Sequence, residues 1–302
     1  GSFDYRLGLD LDLARPDSVR FDADVIPHGL ALDPARSTLD LLELERPFTA
    51  TIHLRDRVVT RELSPANPFF RPLDGIDSIL VHAVLANEDG GFYHHRGFNT
   101  EAIKLAIAAD VRAGAWRRGA GTVTMQLARN LWLGHERTLS RKAQEVVLAW
   151  ALEHLADIPK RRLLEIYLNI VEWGPDVQGA AEAARYYFAQ DPAHVGVDEA
   201  LFLATVLPAP TRWRTRFAPD GTLRGFERAQ MHFIGRAMVA KGWLDPALLP
   251  PRDSLRVELR GPARDVLFPP DTTRVPSMPL GGARAAAVSA REPGRPLAGA
   301  AP

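Results

Sequence analysis

The sequence predicts an α+β chain, a small antiparallel β module followed by a mainly α domain, on three observations. Apolar residues alternate strictly near the start, a proline-bearing stretch interrupts the chain near residue 65, and beyond Asp77 the apolar period becomes helical. In the opening run, Tyr5, Leu7, Leu9, Leu11 and Leu13 alternate with residues that include Arg6, Asp10 and Asp12, the two-residue period of a half-buried strand. Val19, Phe21, Ala23 and Val25 repeat it. Phe48 to Leu54 predicts a third strand, and Val58-Val59 follows the polar turn Arg55-Asp56-Arg57. Residues 1–65 are therefore expected to form the β module and 66–75 a linker, since Pro65, Pro68 and Pro72 withdraw backbone donors. Residues 76–250 are expected to form the helical domain, opened by Ile79 and Val81 to Leu85. The remainder, 251–302, carries Pro269-Pro270, Gly281-Gly282 and an Ala-rich end, and is expected to be a largely disordered extension.

Composition narrows the chemistry. Among 302 residues, 37 Lys and Arg balance 37 Asp and Glu, so no global charge draws the chain to a nucleic acid, although a local basic patch is compatible with this balance. The absence of Cys excludes disulfides, thiolate nucleophiles and Cys-ligated metals, and leaves the compartment open. No window approaches the roughly 18 to 20 apolar residues that span a bilayer, and the start Gly1-Ser2-Phe3-Asp4 lacks the regions of a signal peptide. Gly1-Ser2, with no initiator Met, reads as a cloning remnant, and the chain as a soluble or peripheral piece of a longer, anchored protein.

Four segments concentrate reactive side chains. The first, Glu88-Asp89-Gly90-Gly91-Phe92-Tyr93-His94-His95-Arg96-Gly97, places carboxylates and imidazoles around a Gly pair after an apolar helix. Acid–base work on a hydroxyl needs a carboxylate held partly out of water, because burial raises its pKa toward neutrality. A solvated loop with Asp89 as a helix cap is the competing reading, and no HExxH-type spacing favours a metal. The second runs from Arg117-Arg118-Gly119 through Thr122 to Arg129-Asn130: a Gly-rich turn entering a helix, the arrangement that presents N–H groups to a phosphate, but without the Gly-Lys-Ser/Thr of a nucleotide loop. Arg129, Arg137 and Arg141 add cations, with Gly134 ending one helix and Thr138 or Ser140 starting the next. In the third, Arg141-Lys142-Ala143-Gln144-Glu145, Arg141 and Glu145 share a helix face. In the fourth, from Lys160 to Asn169, Glu165 and Asn169 lie four apart on an otherwise apolar helix and are expected to hold helices together.

Taken together, from about Ile76 to Trp213, these segments closely resemble the peptidoglycan glycosyltransferases of family 51, the transglycosylase module of class A penicillin-binding proteins and of monofunctional transglycosylases. The family's first motif is met by Glu88, Asp89, Phe92, His95 and Gly97, and its second in part by Gly119, Thr122, Gln126, Arg129 and Asn130. Its third is met by Arg141, Lys142 and Glu145, and its fourth by Lys160, Leu164, Glu165, Tyr167, Leu168 and Asn169. Glu172-Trp173-Gly174 and Gly179 to Ala184 look most like the monofunctional branch. The chain departs from the pattern where Gly121 replaces Ser, Met125 the first of two Gln, and Arg129 Lys; the fifth motif survives only as Arg228 followed by His232 and Phe233.

The resemblance implies a lysozyme-like, mainly α domain that polymerises lipid II with release of undecaprenyl pyrophosphate and inversion at the anomeric carbon. It implies Glu88 as general base for the acceptor hydroxyl, and Glu145 as a second catalytic carboxylate that orients cations or holds Mg2+ or Mn2+ on the donor diphosphate. Asp89, Phe92, His95, Thr122, Gln126, Arg129, Asn130, Arg137, Arg141 and Lys142 are the implied substrate-binding residues. No nucleotide is required. Implied partners are lipid II, the growing glycan strand and the outer leaflet of the cytoplasmic membrane, at the periplasmic face of a bacterial envelope; no nucleic acid is expected, and the partner of the β module is open. Trp116, Leu131, Trp132 and Leu133, flanked by Arg117 and Arg118, are candidates to dip into the membrane interface. Two rival readings are a muralytic hydrolase using Glu88 and Glu145 as a carboxylate pair, and an inactive envelope scaffold.

Overall fold

In the computed structural model, the alternating start forms an antiparallel hairpin of β1 (Ser2–Asp10) and β2 (Arg20–His28), with Tyr5 opposite Val25 and Leu9 opposite Phe21. The structure describes residues 1–12, 14–31, 33, 37, 39–114, 121–135 and 138–269. A second hairpin pairs β3 (Phe48–His53) with β4 (Val58–Leu63), and it shares no strand with the first. Helices follow in order: α1 (Ser78–Glu88), α2 (Thr100–Ala113), α3 (Val123–Ala128), α4 (Leu139–His154) and α5 (Lys160–Ile170). After a small hairpin of β5 (Glu172–Gly174) and β6 (Val177–Gln178) come α6 (Gly179–Phe188), α7 (Val197–Val206), α8 (Gly225–Ala240) and α9 (Pro262–Leu267). The sequence explains the helix starts: Asp77, Asn99, Thr122 and Thr138 each accept a backbone N–H of the first turn.

Helices α1, α5 and α7 are buried on nearly every side. Leu80 and Leu85, Leu163 and Ile166, and Leu201 and Phe202 are solvent-free, which is why α1 and α7 show little polar-to-apolar segregation in sequence. Trp173, Tyr187, Phe202 and Trp213 complete this core. Their polar atoms are satisfied inside it: Trp173 Nε1 donates to the Leu203 carbonyl at 3.0 Å, and Tyr187 Oη to the Trp173 carbonyl at 2.7 Å.

Three expected boundaries move. The β3–β4 hairpin is no separate module, because Leu41, Leu44, Ala50, Ile52 and Leu63 belong to the same buried cluster as α1 and α5. Arg162 on α5 reinforces this by donating to the Leu44 and Arg46 carbonyls at 2.6 and 2.9 Å. The expected linker is a strap. Its proline-flanked amides Arg71 N and Leu73 N donate to Asn169 Oδ1 and Glu165 Oε2, each at 2.9 Å, so these two polar residues of α5 hold the strap rather than join helices. At the other end, residues 251–268 belong to the same compact unit as the helices. Leu255, Leu259 and Ala263 are buried, and Arg256 N donates to Asp198 Oδ2 at 2.9 Å. A few apolar residues at four-residue spacing are enough to seat this segment despite its polar average. Residues 270–302 of the expected extension lie outside the described residues.

The first hairpin differs in another way. Phe21, Ala23 and Val25 of β2 are half-buried where that strand lies against α2, whereas Phe3, Tyr5 and Leu9 on β1 are exposed.

Candidate active site

Helix α1 delivers Glu88 as its last residue into a cavity of about 360 Å³, whose walls include Asp89, Gly91, Asn99, Leu105, Gly121 and Thr122. Both carboxylate oxygens are held. Asn87 Nδ2 donates to Oε1 at 2.7 Å and is itself anchored on the Ala204 carbonyl of α7; Gln126 Nε2 donates to Oε2 at 2.9 Å. Burial raises the Glu88 pKa above the usual carboxylate value, opposed by these two donors and by the nearby charge of Arg129, and assisted by the charge of Asp89. A carboxylate held this way accepts a proton near neutrality more readily than a solvated Glu.

The Asp89 carboxylate is committed to neighbouring groups. It accepts from Val123 N at 3.0 Å, the first amide of α3, and both its oxygens lie 3.0 Å from His95 Nε2. Thr122 donates to the Gly97 carbonyl at 2.6 Å and caps α3 through Met125 N. Gly97 has φ +89°, and a Cβ there would stand 3.0 Å from the Ala149 backbone, so only glycine lets the loop approach α4 this closely. Asp89, His95 and Thr122, expected at the substrate, thus dock α3 onto the loop of Glu88. Phe92, 1% exposed, packs in the core with Lys160 Nζ 4.2 Å from its ring centre, and Asn130 is buried with Arg129 Nε 3.4 Å from its oxygen. Both side chains are buried among neighbouring groups rather than presented at the cavity.

A cationic group stands beside the base. Arg129 is half-buried at the end of α3, and burial lowers its pKa while Tyr167 and Glu88 oppose that change. Lys142 on α4 has its pKa lowered to about 8, first by burial and then by the charges of Arg129 and Arg141. Its Nζ lies 3.3 Å from where a Cβ on Gly121 would be, so the missing side chain at that departure from the family pattern leaves room for an ammonium at the cavity wall. Glu145 is 2% exposed and accepts from Arg141 and, at 2.9 Å, from Lys142. A divalent cation prefers six or more oxygen ligands in the open, and a single buried carboxylate occupied by two cations does not fit one. Among the described residues no cluster of three or more His, Asp or Glu converges. Arg137, Trp116, Arg117, Arg118 and Gly119 lie outside the described residues. Leu131 is 4% exposed and Trp132 packs on the core, which removes both from the expected interfacial group; Leu133 is half-buried.

The reading from sequence missed two sets of residues. Asn87 clamps Glu88 from the preceding position, and its neighbourhood to the motif was the available signal. Glu153 forms a buried node with Lys160 Nζ at 2.9 Å and Thr124 Oγ1 at 2.5 Å, tying α3, α4 and α5 together behind the site; nothing in its helical spacing announces it.

A half-buried carboxylate with a raised pKa, within electrostatic reach of Arg129 and in one cavity with Gly121, is able to take a proton from a bound hydroxyl. Comparison with known proteins supplies the family. A transglycosylase family profile matches residues 56–233, more than half the chain. The chain is 44% identical over 141 residues to the biosynthetic peptidoglycan transglycosylase of Alcanivorax borkumensis, covering 47% of this chain and 57% of that one. It is 40% identical over 195 residues to that of Bordetella pertussis, covering 63% and 75%, and 42% identical over 148 residues to that of Azoarcus sp., covering 49% and 63%. The chain belongs to the transglycosylase family, in accord with the family 51 resemblance of its motifs and its monofunctional branch. Membership places the chain among cell-envelope enzymes, and the matched region spans 57% of the first of these relatives. No helix among the described residues is long and apolar enough to cross a membrane.

Proposed function

We propose that this chain polymerises lipid II into glycan strands at the periplasmic face of the inner membrane. The observation that carries the reading is Glu88, with both oxygens held and its pKa raised, in one cavity with Gly121 and within electrostatic reach of Arg129. In this reading Glu88 takes the proton of the acceptor sugar's 4-hydroxyl as that oxygen bonds to the donor's C1. The C1–oxygen bond to the diphosphate breaks on the opposite face, and the electron pair leaves with the lipid pyrophosphate. Arg129 and Lys142 offset the charge that develops there, and Glu145 holds Arg141 and Lys142 in place, so that protein cations meet the diphosphate.

A muralytic pair is disfavoured, since Glu145 has its oxygens committed to Arg141 and Lys142 and is closed to solvent. The test is incubation with lipid II and, separately, with purified sacculi. Polymer from lipid II supports transfer; soluble muropeptides from sacculi refute it. Glu88→Gln should lower polymerisation by about 10²- to 10⁴-fold, the usual contribution of a general base, with donor binding preserved. Near wild-type polymerisation by that variant removes Glu88 from the role.

A further inference from the structure

Gln126 assists the carboxylate of Glu88 only while its NH2 faces Oε2; turned over, its carbonyl would face that oxygen and favour a protonated Glu88 instead. The orientation has a visible cause. Tyr167, solvent-free on α5, directs its hydroxyl at Gln126 Oε1 at 3.2 Å, which leaves Nε2 for Glu88 at 2.9 Å. Arg129, which only donates, lies within electrostatic reach of both Tyr167 and Glu88 and favours a hydroxyl with its lone pairs toward the guanidinium and its proton toward Gln126. We propose that Tyr167 is a positioning residue that, through the Gln126 amide, keeps Glu88 ready to accept a proton.

The proposal rests on Glu88 being the base, and it deepens that reading by naming what sets the charge state. The groups facing Glu88 are Asp89 from its own loop, Arg129 after α3 and Tyr167 from α5. Helix α7 offers only the Ala204 carbonyl, through Asn87, while Lys241 after α8 lies beside Gly90 and Lys142 on α4 beside Gly121, both at the cavity rim. None of the rim groups bonds to Glu88 or Gln126, so the hydroxyl acts through one amide. Without it, the amide turns over and accepts from a protonated Glu88. The carboxyl then holds its proton to higher pH, and the base is lost at the acidic end of the working range.

The experiment uses the full chain with Tyr167→Phe, Gln126→Met and the double variant. Glu88 is titrated by 13C NMR of its carboxylate without substrate, and the pH dependence of polymerisation is measured on lipid II. Tyr167→Phe should raise the Glu88 midpoint and the acidic limb of the rate profile together, by about half to one pH unit, the span of one net hydrogen bond. The ratio of wild-type to variant rate should shrink as pH rises, which a general packing defect would not produce. Gln126→Met should raise the midpoint at least as far, and adding Tyr167→Phe to it should change nothing more. An unmoved midpoint in a folded Tyr167→Phe overturns the proposal, as does a hydroxyl effect that persists in the Gln126→Met background. Should Tyr167→Phe fail to fold, an unmoved midpoint in Gln126→Met overturns it equally. If the wild-type chain makes no polymer, the function above falls, while the carboxylate titration still decides the relay.

Discussion

Binding of a lipid diphosphate near pH 8 should draw a proton onto Lys142. Its ammonium is held to about 8 by burial and by the charges of Arg129 and Arg141. A diphosphate brought beside it reverses the balance, because an adjacent anion favours the charged form. With a midpoint near 8, free Lys142 is about one-tenth deprotonated at pH 7, half at pH 8 and nine-tenths at pH 9. Binding should therefore take up about 0.1, 0.5 and 0.9 of a proton at these three values. Donor affinity should be nearly flat below pH 7 and fall toward tenfold per unit above pH 8, moderated because the side chain is 43% exposed and screened by solvent. Burial has lowered His135 from 6.5, so that group is neutral across this window and does not mimic the effect. The assay is calorimetry at pH 8 in two buffers of different ionisation heat. Lys142→Arg, whose charge does not titrate here, should bind with no buffer dependence and a flat alkaline limb. Measurable binding without proton uptake, or the same uptake in Lys142→Arg, would place Lys142 outside the diphosphate pocket.

Two further outcomes follow from the packing. Asp89→Ala strands the buried Val123 N–H and His95, and an orphaned buried group costs about 1 to 3 kcal/mol each, so the urea midpoint should drop by the corresponding amount; an unchanged midpoint would mean that α3 is docked by other contacts. Deleting residues 1–65 removes Leu41, Leu44, Ile52 and Leu63 from the core, and at about 1.5 to 3 kcal/mol for each side chain this rivals the roughly 5 to 15 kcal/mol that holds a domain, so the remainder should lose its helical circular dichroism. A stable, helical fragment beginning at residue 66 would show that the hairpin is dispensable.

What was legible in the sequence was local. Alternation found the strands of both hairpins, and Asp77, Thr122 and Thr138 marked helix starts, because caps and periodicity are written within a few residues. Membership in a shared core is not. Ile52 looks the same on a free hairpin as on one packed into the helical core, and the difference shows only in long-range contacts, such as Arg162 reaching the Leu44 and Arg46 carbonyls from more than a hundred residues away. The same limit governed the site. Glu88 and the cations stand out by type, whereas Asp89 and Thr122 carry both a capping signal and the family's substrate role, and only the fold shows that α3 and Gly97 already take their hydrogen bonds.

Departures from the family pattern carry information of a different kind. Gly121, taken alone, looks like a lost hydroxyl in a phosphate-binding turn. In the fold its empty side-chain position lies 3.3 Å from the Lys142 ammonium, and that ammonium is tied to Glu145, which also holds Arg141. A polar side chain there would place an acceptor against the ammonium and draw it toward the turn. No side chain at residue 121 offers Lys142 an acceptor, while partial burial and the charges of Arg129 and Arg141 bring its pKa down to about 8. The missing hydroxyl and the ammonium therefore meet at one point of the cavity wall. In the proposed site the arriving diphosphate would supply the acceptor that residue 121 does not, so charging of Lys142 would be coupled to donor binding.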